Sequence, residues 1–271
     1  MNAVLEESSG QRWFRLPVSG LDVRFFLKGP MLGEGHGKAQ TSRTALSPLL
    51  GPEPSYLMAP KQVHGATVLE NIPENAPPVY EAEADGILFD AGYAADLEIE
   101  ASLRFADCAP VVVAPSREWV ERNGTPWVLM MHSGYKGTVQ NIAAAGLKKA
   151  LARYGESALD GAWAWIGPCI GGENYPRDIE EWTLKGLDSF REANVKRAGK
   201  TGKAKKAGEN GEKIFFDIAG ELKLQLIDAG ITEERIFLSG IDTCERADLC
   251  YSYRCGEKTE RMFLWAGGKR E

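Results

Sequence analysis

Three histidines and five cysteines are the side chains of this chain that best suit metal binding or nucleophilic chemistry. His36 lies in a polar, Gly-rich stretch, which favours a plain surface position. His64 precedes Gly65, and a glycine lets the backbone approach a neighbour closely. His132 follows an apolar run at 127–131 and precedes a Gly-rich turn, which is where ligands bind in open α/β sheets. His132 is therefore the strongest single candidate for a functional residue.

Cys108 is predicted to lie close to His132. The apolar runs at 111–114 and 127–131 are typical of central strands. If they pair as antiparallel neighbours, the last residue of the first run faces the first or second residue of the second run. Continuing that register brings Cys108 opposite the neighbourhood of His132, with facing Cα atoms about 5 Å apart. Asp107 then points away from Cys108. It is a candidate to hydrogen-bond a metal ligand without binding the metal itself.

Two imidazoles and one thiolate form a ligand set that suits zinc, and three protein ligands leave the fourth tetrahedral position for water. A water bound there has a lowered pKa and acts as a nucleophile near neutral pH. The spacing of His64, Cys108 and His132 carries no local signature, so it is not diagnostic by itself. The same residues also fit a metal-independent cysteine hydrolase, with Cys108 as the nucleophile and either histidine as the base.

The patterns around these residues predict strands and helices. Residues 98–105 alternate between apolar and polar side chains, which is typical of a half-buried strand. Beyond His132, apolar or small residues recur between Val139 and Leu151 at the spacings of one helical face. Lys136 and the first N–H groups of that helix would form an anion site suited to phosphate.

Later in the chain, strands are predicted at 163–166, 236–238 and 262–266. A further helix is predicted from an N-cap at Asp217 to a stop at Gly230. Residues 191–213 are rich in Lys, Gly and Ala, and they predict a mobile surface loop. A basic binding patch is the alternative interpretation of this loop.

The composition favours one domain spanning residues 1–271, since this length and 44% hydrophobic residues can bury one large core. A net charge of −6 argues against nucleic acid as a general partner and favours a small molecule. The sequence contains no apolar run of membrane-spanning length and no signal-like N-terminus, so we expect a cytoplasmic location. The five cysteines are then expected to be reduced thiols, with a Cys250–Cys255 disulfide as the alternative.

Six short motifs follow one another along the chain: Gln62-Val63-His64-Gly65, Ala84-Asp85-Gly86, Ala106-Asp107-Cys108-Ala109-Pro110-Val111, His132-Ser133-Gly134-Tyr135-Lys136-Gly137, Ile166-Gly167-Pro168-Cys169-Ile170-Gly171 and Ser252-Tyr253-Arg254. In type and order they resemble the motifs of the YfiH-like family, also called the laccase-domain or polyphenol-oxidase family. The resemblance runs from about residue 56 to the C-terminus.

The resemblance implies a single-domain α+β fold with mixed sheets flanked by helices, and a zinc site at His64, Cys108 and His132. It also implies a purine nucleoside phosphorylase that accepts methylthioadenosine, together with adenosine deaminase activity. The implied partners are then a purine nucleoside and phosphate. Candidate phosphate ligands are Arg43, Lys136 and Arg254.

This chain departs from the family pattern at several positions. The family's usual Trp-Arg pair after the second histidine is Tyr135-Lys136 here, which replaces a bidentate fork with a point charge. The second arginine expected after Arg254 is Cys255, and the N-terminal Gly-rich motif is not recognisable. These departures leave open a non-catalytic binding module that keeps the fold. The family's older description as a copper-dependent polyphenol oxidase conflicts with only three histidines, although adventitious Cu²⁺ could occupy the site.

Overall fold

A computed structural model of the protein describes residues 3–33, 35–92, 98–198 and 213–268. The strands in these ranges are β1 (Val4–Ser8), β2 (Gln11–Leu16), β3 (Leu21–Phe26), β4 (Tyr56–Met58), β5 (Val68–Leu69), β6 (Val79–Tyr80), β7 (Gly86–Asp90), β8 (Ile99–Phe105), β9 (Ala109–Ala114), β10 (Trp127–Ser133), β11 (Trp163–Ile166), β12 (Pro176–Arg177), β13 (Val195–Ala198), β14 (Lys213–Phe216), β15 (Ile236–Leu238) and β16 (Met262–Gly268).

The α-helices bounded within the same ranges are α1 (Ala39–Ala45), α2 (Ser47–Leu50), α3 (Arg117–Asn123), α4 (Tyr135–Val139), α5 (Ile142–Tyr154), α6 (Glu181–Ser189) and α7 (Ile218–Asp228). Across the described part of the chain, every helix is too short or too polar to cross a membrane.

The strands form three sheets. The first has the order β1-β2-β3-β16-β8-β4-β6, and the second has the order β15-β11-β9-β10-β7-β5. Both are mixed, since β4 runs parallel to β6 and β8 in the first, and β11–β15 and β5–β7 are parallel pairs in the second. A small antiparallel sheet has the order β12-β14-β13. The predicted α+β class with mixed sheets is confirmed.

The second sheet is buried on both faces because successive residues of its central strands point to opposite sides. Val112 of β9 packs in one apolar cluster with Leu103 of the first sheet. Val111, its neighbour in sequence, packs in another cluster with Leu147 of α5 and Leu222 of α7. Burying each such side chain contributes about 1.5–3 kcal/mol. The layers are therefore sheet, sheet and helices.

The predicted pairing of the two central strands is confirmed. Strands β9 and β10 are antiparallel, with Val113 opposite Leu129 and Ala109 opposite Ser133. This register places Ala114 opposite Val128, as the sequence predicted, and brings Cys108 to the end of β10. The helix capped by the Asp217 carboxylate is also confirmed, as are the three later strands.

The predicted helix after His132 is present but interrupted. Helix α4 ends at Val139, and α5 begins at Ile142 after Asn141, which adopts a left-handed φ of 55° and caps α5 through its side chain. Both ends of the segment predicted to be a loop, 191–213, lie in regular structure. Residues 195–198 form β13 and pair with β14, which begins at Lys213. Residues 199–212 lie outside the described residues.

The prediction of a half-buried strand at 98–105 is wrong, because both faces of β8 are covered. Glu100 is 3% exposed, and its carboxylate accepts hydrogen bonds from Arg43 of α1 and from Trp265 Nε1. Glu100 therefore sits in a buried ion pair, Ser102 is buried beside it, and Arg104 is the one polar position of β8 that stays partly exposed. Arg43 itself is fully buried and also donates to the carbonyl oxygen of Pro52.

The expectation of five reduced thiols is corrected by a disulfide between Cys244 and Cys255, whose Cα atoms are 5.8 Å apart. The alternative pairing of Cys255 with Cys250 is not formed either, since Cys250 is a buried free thiol. The chain turns back on itself between 244 and 255, and this turn brings the more distant cysteine to Cys255.

Glu100→Ala should lower the free energy of unfolding by about 3–5 kcal/mol, because it leaves the Arg43 guanidinium buried without a counter-charge. Denaturant unfolding of the purified variant measures this loss. Replacing both partners with apolar residues, as in Arg43→Met with Glu100→Leu, should recover part of it. The exposed Arg117–Glu121 pair supplies the control: Glu121→Ala should leave the midpoint unchanged. A midpoint for Glu100→Ala equal to that of the control would contradict this account.

Candidate metal centre

His64, Cys108 and His132 come together at the junction of the two large sheets. Cys108 lies in the short connection between β8 of the first sheet and β9 of the second. His132 is the second-last residue of β10, and His64 lies on the loop that precedes β5. One ligand atom from each residue lies within 4.8 Å of the other two. The convergence predicted for Cys108 and His132 is therefore present, with His64 joining them.

Asp85 organises this cluster. Its fully buried carboxylate accepts hydrogen bonds from the backbone N–H groups of Val63, His64 and Gly65, at 3.2, 2.9 and 2.6 Å. The same carboxylate lies 2.9 Å from Nδ1 of His132. It thereby fixes the His64 loop, including the left-handed φ of 61° at His64, and orients the ring of His132.

The orientation of His132 follows from that contact. Nδ1 donates to Asp85, so Nε2 is the ring atom left to face Cys108 and His64. The two imidazole ring centres are 5.0 Å apart and steeply inclined. His132 is 4% exposed, whereas His64 is exposed at the pocket wall. The His64 side of the cluster is therefore open to solvent, and the His132 side is buried.

The charges of Asp85, Cys108 and His132 stabilise one another. Burial raises the pKa of the Cys108 thiol, but the charge of His132 and hydrogen bonds from both histidines bring it below its ordinary value. Burial lowers the pKa of His132, but the Cys108 thiolate and Asp85 together raise it above its ordinary value. The protein alone thus holds a thiolate and a carboxylate around one imidazolium. A divalent cation would replace the proton between sulfur and nitrogen, which is the exchange a metal site requires.

Gly134 is the residue that leaves room for this cluster. A Cβ atom at this position would lie 2.7 Å from Sγ of Cys108 and 2.9 Å from Cδ2 of His64. Its φ of −81° is open to any residue, so the requirement is for space and not for backbone conformation. The glycine after His132 was visible in the sequence, but its neighbours were not.

The cluster lies on the wall of a cavity of about 960 Å³. The charged side chains that line it are mostly cationic, against the carboxylates of Glu81 and Asp107. The cationic residues are Lys61, Arg104, Lys136, Arg177, Arg254 and Arg261. This excess of positive charge favours an anionic ligand or substrate group.

The sequence profile of the family described as "Multi-copper polyphenol oxidoreductase laccase" matches residues 29–267. The chain belongs to this family. Its curated relatives include the purine nucleoside phosphorylase YlmD of Bacillus subtilis, which is 30% identical over 66% of this chain. That alignment spans 59% of the relative's own length. A purine nucleoside phosphorylase of Aquifex aeolicus is 28% identical over 78% of this chain and 82% of its own.

Solved structures of this laccase-like, YfiH-like family share the fold. YlmD from Geobacillus stearothermophilus has a TM-score of 0.72 at 20% identity, covering 99% of this chain and all of the other. The hypothetical protein YfiH of Bacillus licheniformis has a TM-score of 0.71 at 19% identity, covering 98% and 99%. The resemblance found in the sequence motifs is confirmed.

The family's description as a multi-copper oxidoreductase requires several copper ions, and this chain has too few imidazoles to hold them. Three histidines occur in the whole sequence, whereas imidazole is the main ligand of protein-bound copper. Among the described residues, His64, Cys108 and His132 are the one group of three or more His, Cys, Asp or Glu side chains whose ligand atoms lie close enough to share an ion. This family member therefore has ligands for a single ion at that position.

Of the three residues predicted to bind phosphate, two line the cavity and one does not. Lys136 and Arg254 both line the cavity. Arg43 does not, because it is fully buried in its ion pair with Glu100, and its assignment as a phosphate ligand is wrong. Asp107 is buried, and its carboxylate accepts hydrogen bonds from the Thr243 hydroxyl and the backbone N–H of Arg254 and contacts neither histidine.

Sequence reasoning missed two residues of the site. Asp85 appeared only as part of a motif, and nothing in the sequence indicated that it lies between the two histidines. Arg177 lines the cavity from β12, with its guanidinium 4.1 Å from the centre of the Tyr135 ring. Its Nη1 also donates to the hydroxyl of Tyr175 at 3.1 Å. The fold brings it there from a short strand that no pattern predicted.

Gly134→Ala should damage the cluster while leaving the fold intact, since the added methyl group must displace Cys108 or His64. We expect at least a tenfold weaker affinity for Co²⁺, a zinc analogue whose charge-transfer band reports a thiolate ligand. Gly33→Ala is the matched control, because its Cβ would have no neighbour nearer than 3.9 Å. Wild-type cobalt affinity in Gly134→Ala would mean that the three side chains do not bind one ion together.

Proposed function

We propose that this chain is a zinc-dependent enzyme acting on purine nucleosides, a phosphorylase that also deaminates adenosine and accepts methylthioadenosine. The observation that carries the proposal is the approach of the His64, Cys108 and His132 ligand atoms to within 4.8 Å, on the wall of a cation-rich cavity. The relatives named purine nucleoside phosphorylase support the choice of substrate. We also propose a single domain, because both large apolar clusters include residues of β9, β10 and β11.

The ligand set fits zinc because it combines one thiolate with two imidazoles and leaves one coordination position open. Zinc bound by these residues would supply a Lewis acid to the substrate side of the cavity. Asp85 keeps the Nδ1 proton on His132, so Nε2 is the nitrogen that would give up its proton and hold the ion. His64 completes the set from a loop that the same carboxylate anchors.

The cations of the cavity would bind the phosphate. Lys136, Arg177 and Arg254 line the wall that also holds Cys108. In phosphorolysis, a phosphate oxygen forms a bond to C1′ of the ribose as the C1′–N9 bond breaks, and the purine leaves with a proton. Fixed cations favour this step because they position the phosphate and screen its charge. Arg254 supplies the planar fork that Lys136 lacks, whereas Arg177 adds positive charge to the wall while its nitrogens donate to Thr183, Tyr175 and Glu180.

The same cavity offers a surface for the purine ring. Tyr253 is 50% exposed and Val63 is 44% exposed, and both line the cavity beside the cluster. An exposed tyrosine ring is a stacking platform for a nucleobase. In deamination, water attacks C6 of adenine and ammonia leaves, so the product is inosine.

One alternative keeps the residues and removes the metal. The Cys108 thiolate beside a protonated His132 is also the arrangement of a cysteine nucleophile and its base, which favours a cysteine hydrolase as second candidate. A non-catalytic binding module is the outcome if neither chemistry is found.

Incubation of the zinc-loaded protein with adenosine, with and without phosphate, tests the proposal. We expect phosphate-dependent adenine and ribose 1-phosphate, together with inosine that forms without phosphate. Cys108→Ala and His132→Ala should each lower both rates at least about a hundredfold, since each removes a ligand. His36→Ala, the third histidine, is the matched control and should keep the wild-type rates.

Arg254→Ala separates the two reactions. It should raise the KM for phosphate about tenfold, a loss of about 1.4 kcal/mol, and leave deamination unchanged. Full activity in metal-free protein, abolished by alkylation of Cys108, would replace the zinc proposal with the cysteine hydrolase. If zinc-loaded protein turns over no nucleoside, the result would favour the non-catalytic binding module.

A further inference from the structure

The two cysteines of the disulfide each follow a residue that holds Asp107. The hydroxyl of Thr243 donates to Oδ1 of Asp107 at 2.7 Å, and Cys244 is the next residue. The backbone N–H of Arg254 donates to Oδ2 at 2.8 Å, and Cys255 is the next residue. The disulfide therefore links the two segments that bind one carboxylate from its two sides.

Asp107 is a residue that needs such support. It has a left-handed φ of 80°, a conformation that a non-glycine residue adopts only at a cost. It is 6% exposed, and its carbonyl oxygen accepts a hydrogen bond from the N–H of Ile170 at 2.9 Å. Cys108 is the next residue, so the backbone conformation at Asp107 sets the direction in which the Cys108 sulfur points. Both oxygens of the carboxylate are used to hold that conformation.

Other contacts tie the disulfide into the same unit. Sγ of Cys244 lies 3.2 Å from the hydroxyl of Ser252, which is the donor because a disulfide sulfur carries no hydrogen. The Ser252 oxygen in turn accepts a hydrogen bond from the N–H of Cys255 at 3.1 Å. Thr243 is completely buried, whereas Cys255 is exposed on the surface. This group of contacts is therefore accessible to solvent at Cys255 and buried at Thr243.

We propose that the Cys244–Cys255 disulfide is redox-sensitive and positions the Cys108 ligand through Thr243, Arg254 and Asp107. We call this disulfide, with the contacts of those three residues, the brace. Thr243 and Asp107 are positioning residues, because they act on the metal centre only through the backbone of Cys108. The same brace fixes the start of the Arg254 side chain at the cavity wall. The inference rests on the metal centre proposed above.

Opening the brace requires a reductant, and a dithiol is the class that fits a disulfide with one exposed end, at Cys255. One thiolate of the dithiol attacks the Cys255 sulfur, the S–S bond breaks, and Cys244 leaves as a thiol. The second thiol of the dithiol then displaces Cys255 from the mixed disulfide. Two electrons and two protons reach the protein, and the dithiol leaves as a disulfide. Because reducing compartments keep most thiols reduced, the state of the brace depends on where the protein resides.

The test compares the zinc affinity of the oxidised protein with that of a variant carrying Cys244→Ser and Cys255→Ser, by competition with a chromophoric chelator. We expect about tenfold weaker zinc binding in the variant, the size of effect usual for residues that support a metal ligand. Wild-type protein reduced with a phosphine, which binds zinc weakly, should behave like the variant. Mass spectrometry of protein purified without reductant should show the Cys244–Cys255 crosslink.

Two further variants distinguish positioning from general stability. Thr243→Val removes the donor to Asp107 and keeps the disulfide, so it should weaken zinc binding similarly, while Thr243→Ser should retain the wild-type affinity. Arg246→Ala is the matched control in the same turn, because it breaks only the exposed Arg246–Asp248 pair. These variants keep the test valid if the double serine variant fails to fold.

Failure of the brace and failure of the metal centre give different results. If wild-type protein binds no zinc, the metal centre fails, and the rate of Cys108 alkylation still reports the brace. That rate should rise severalfold in the double serine variant and in Thr243→Val, but not in Arg246→Ala. Zinc affinity and alkylation rate both within twofold of wild type in the double serine variant would overturn the proposal. Free thiols at Cys244 and Cys255 in unreduced protein would also overturn it.

Discussion

The candidate site depends on one buried carboxylate, that of Asp85. It accepts three consecutive backbone N–H groups from the His64 loop and binds the ring of His132 at the same time. A buried carboxylate is costly unless its oxygens are paired, and here each oxygen is. Burial raises the pKa of Asp85, and these partners together lower it below its ordinary value, so the group stays charged. Two ligands from distant parts of the chain are thus fixed by a single anion.

The third ligand is fixed by topology. Because β8 belongs to one sheet and β9 to the next, the connection that carries Cys108 crosses between the layers beside the end of β10. Every residue of β9 and every residue of β8 except Arg104 is buried, so the crossing has little freedom to move. Gly134 leaves the space that the sulfur and the His64 ring fill. The layered core therefore places the cysteine, and Asp85 places the histidines against it.

Much of this arrangement could be predicted from local sequence. Apolar runs and their length gave the pairing of β9 with β10, and hence the approach of Cys108 to His132, because register extends along a strand. Contacts between distant elements could not be predicted. The alternating pattern of β8 predicted that one face of the strand is exposed to solvent. The helix that carries Arg43 covers that face, and no local sequence pattern indicates the ion pair between Arg43 and Glu100. Likewise, the partner of Cys255 and the position of Asp85 depend on how separate loops meet.

X-ray absorption at the zinc edge, on wild-type protein and on Asp85→Asn, tests whether the Asp85 carboxylate holds both histidines against the metal bound by Cys108. Asparagine keeps the size of the side chain and removes the charge that holds both histidines. We expect one sulfur at about 2.3 Å and two imidazole nitrogens at about 2.0 Å in the wild type. In Asp85→Asn we expect loss of imidazole scattering while the sulfur remains. A wild-type spectrum without sulfur, or a variant spectrum unchanged from the wild type, would contradict it.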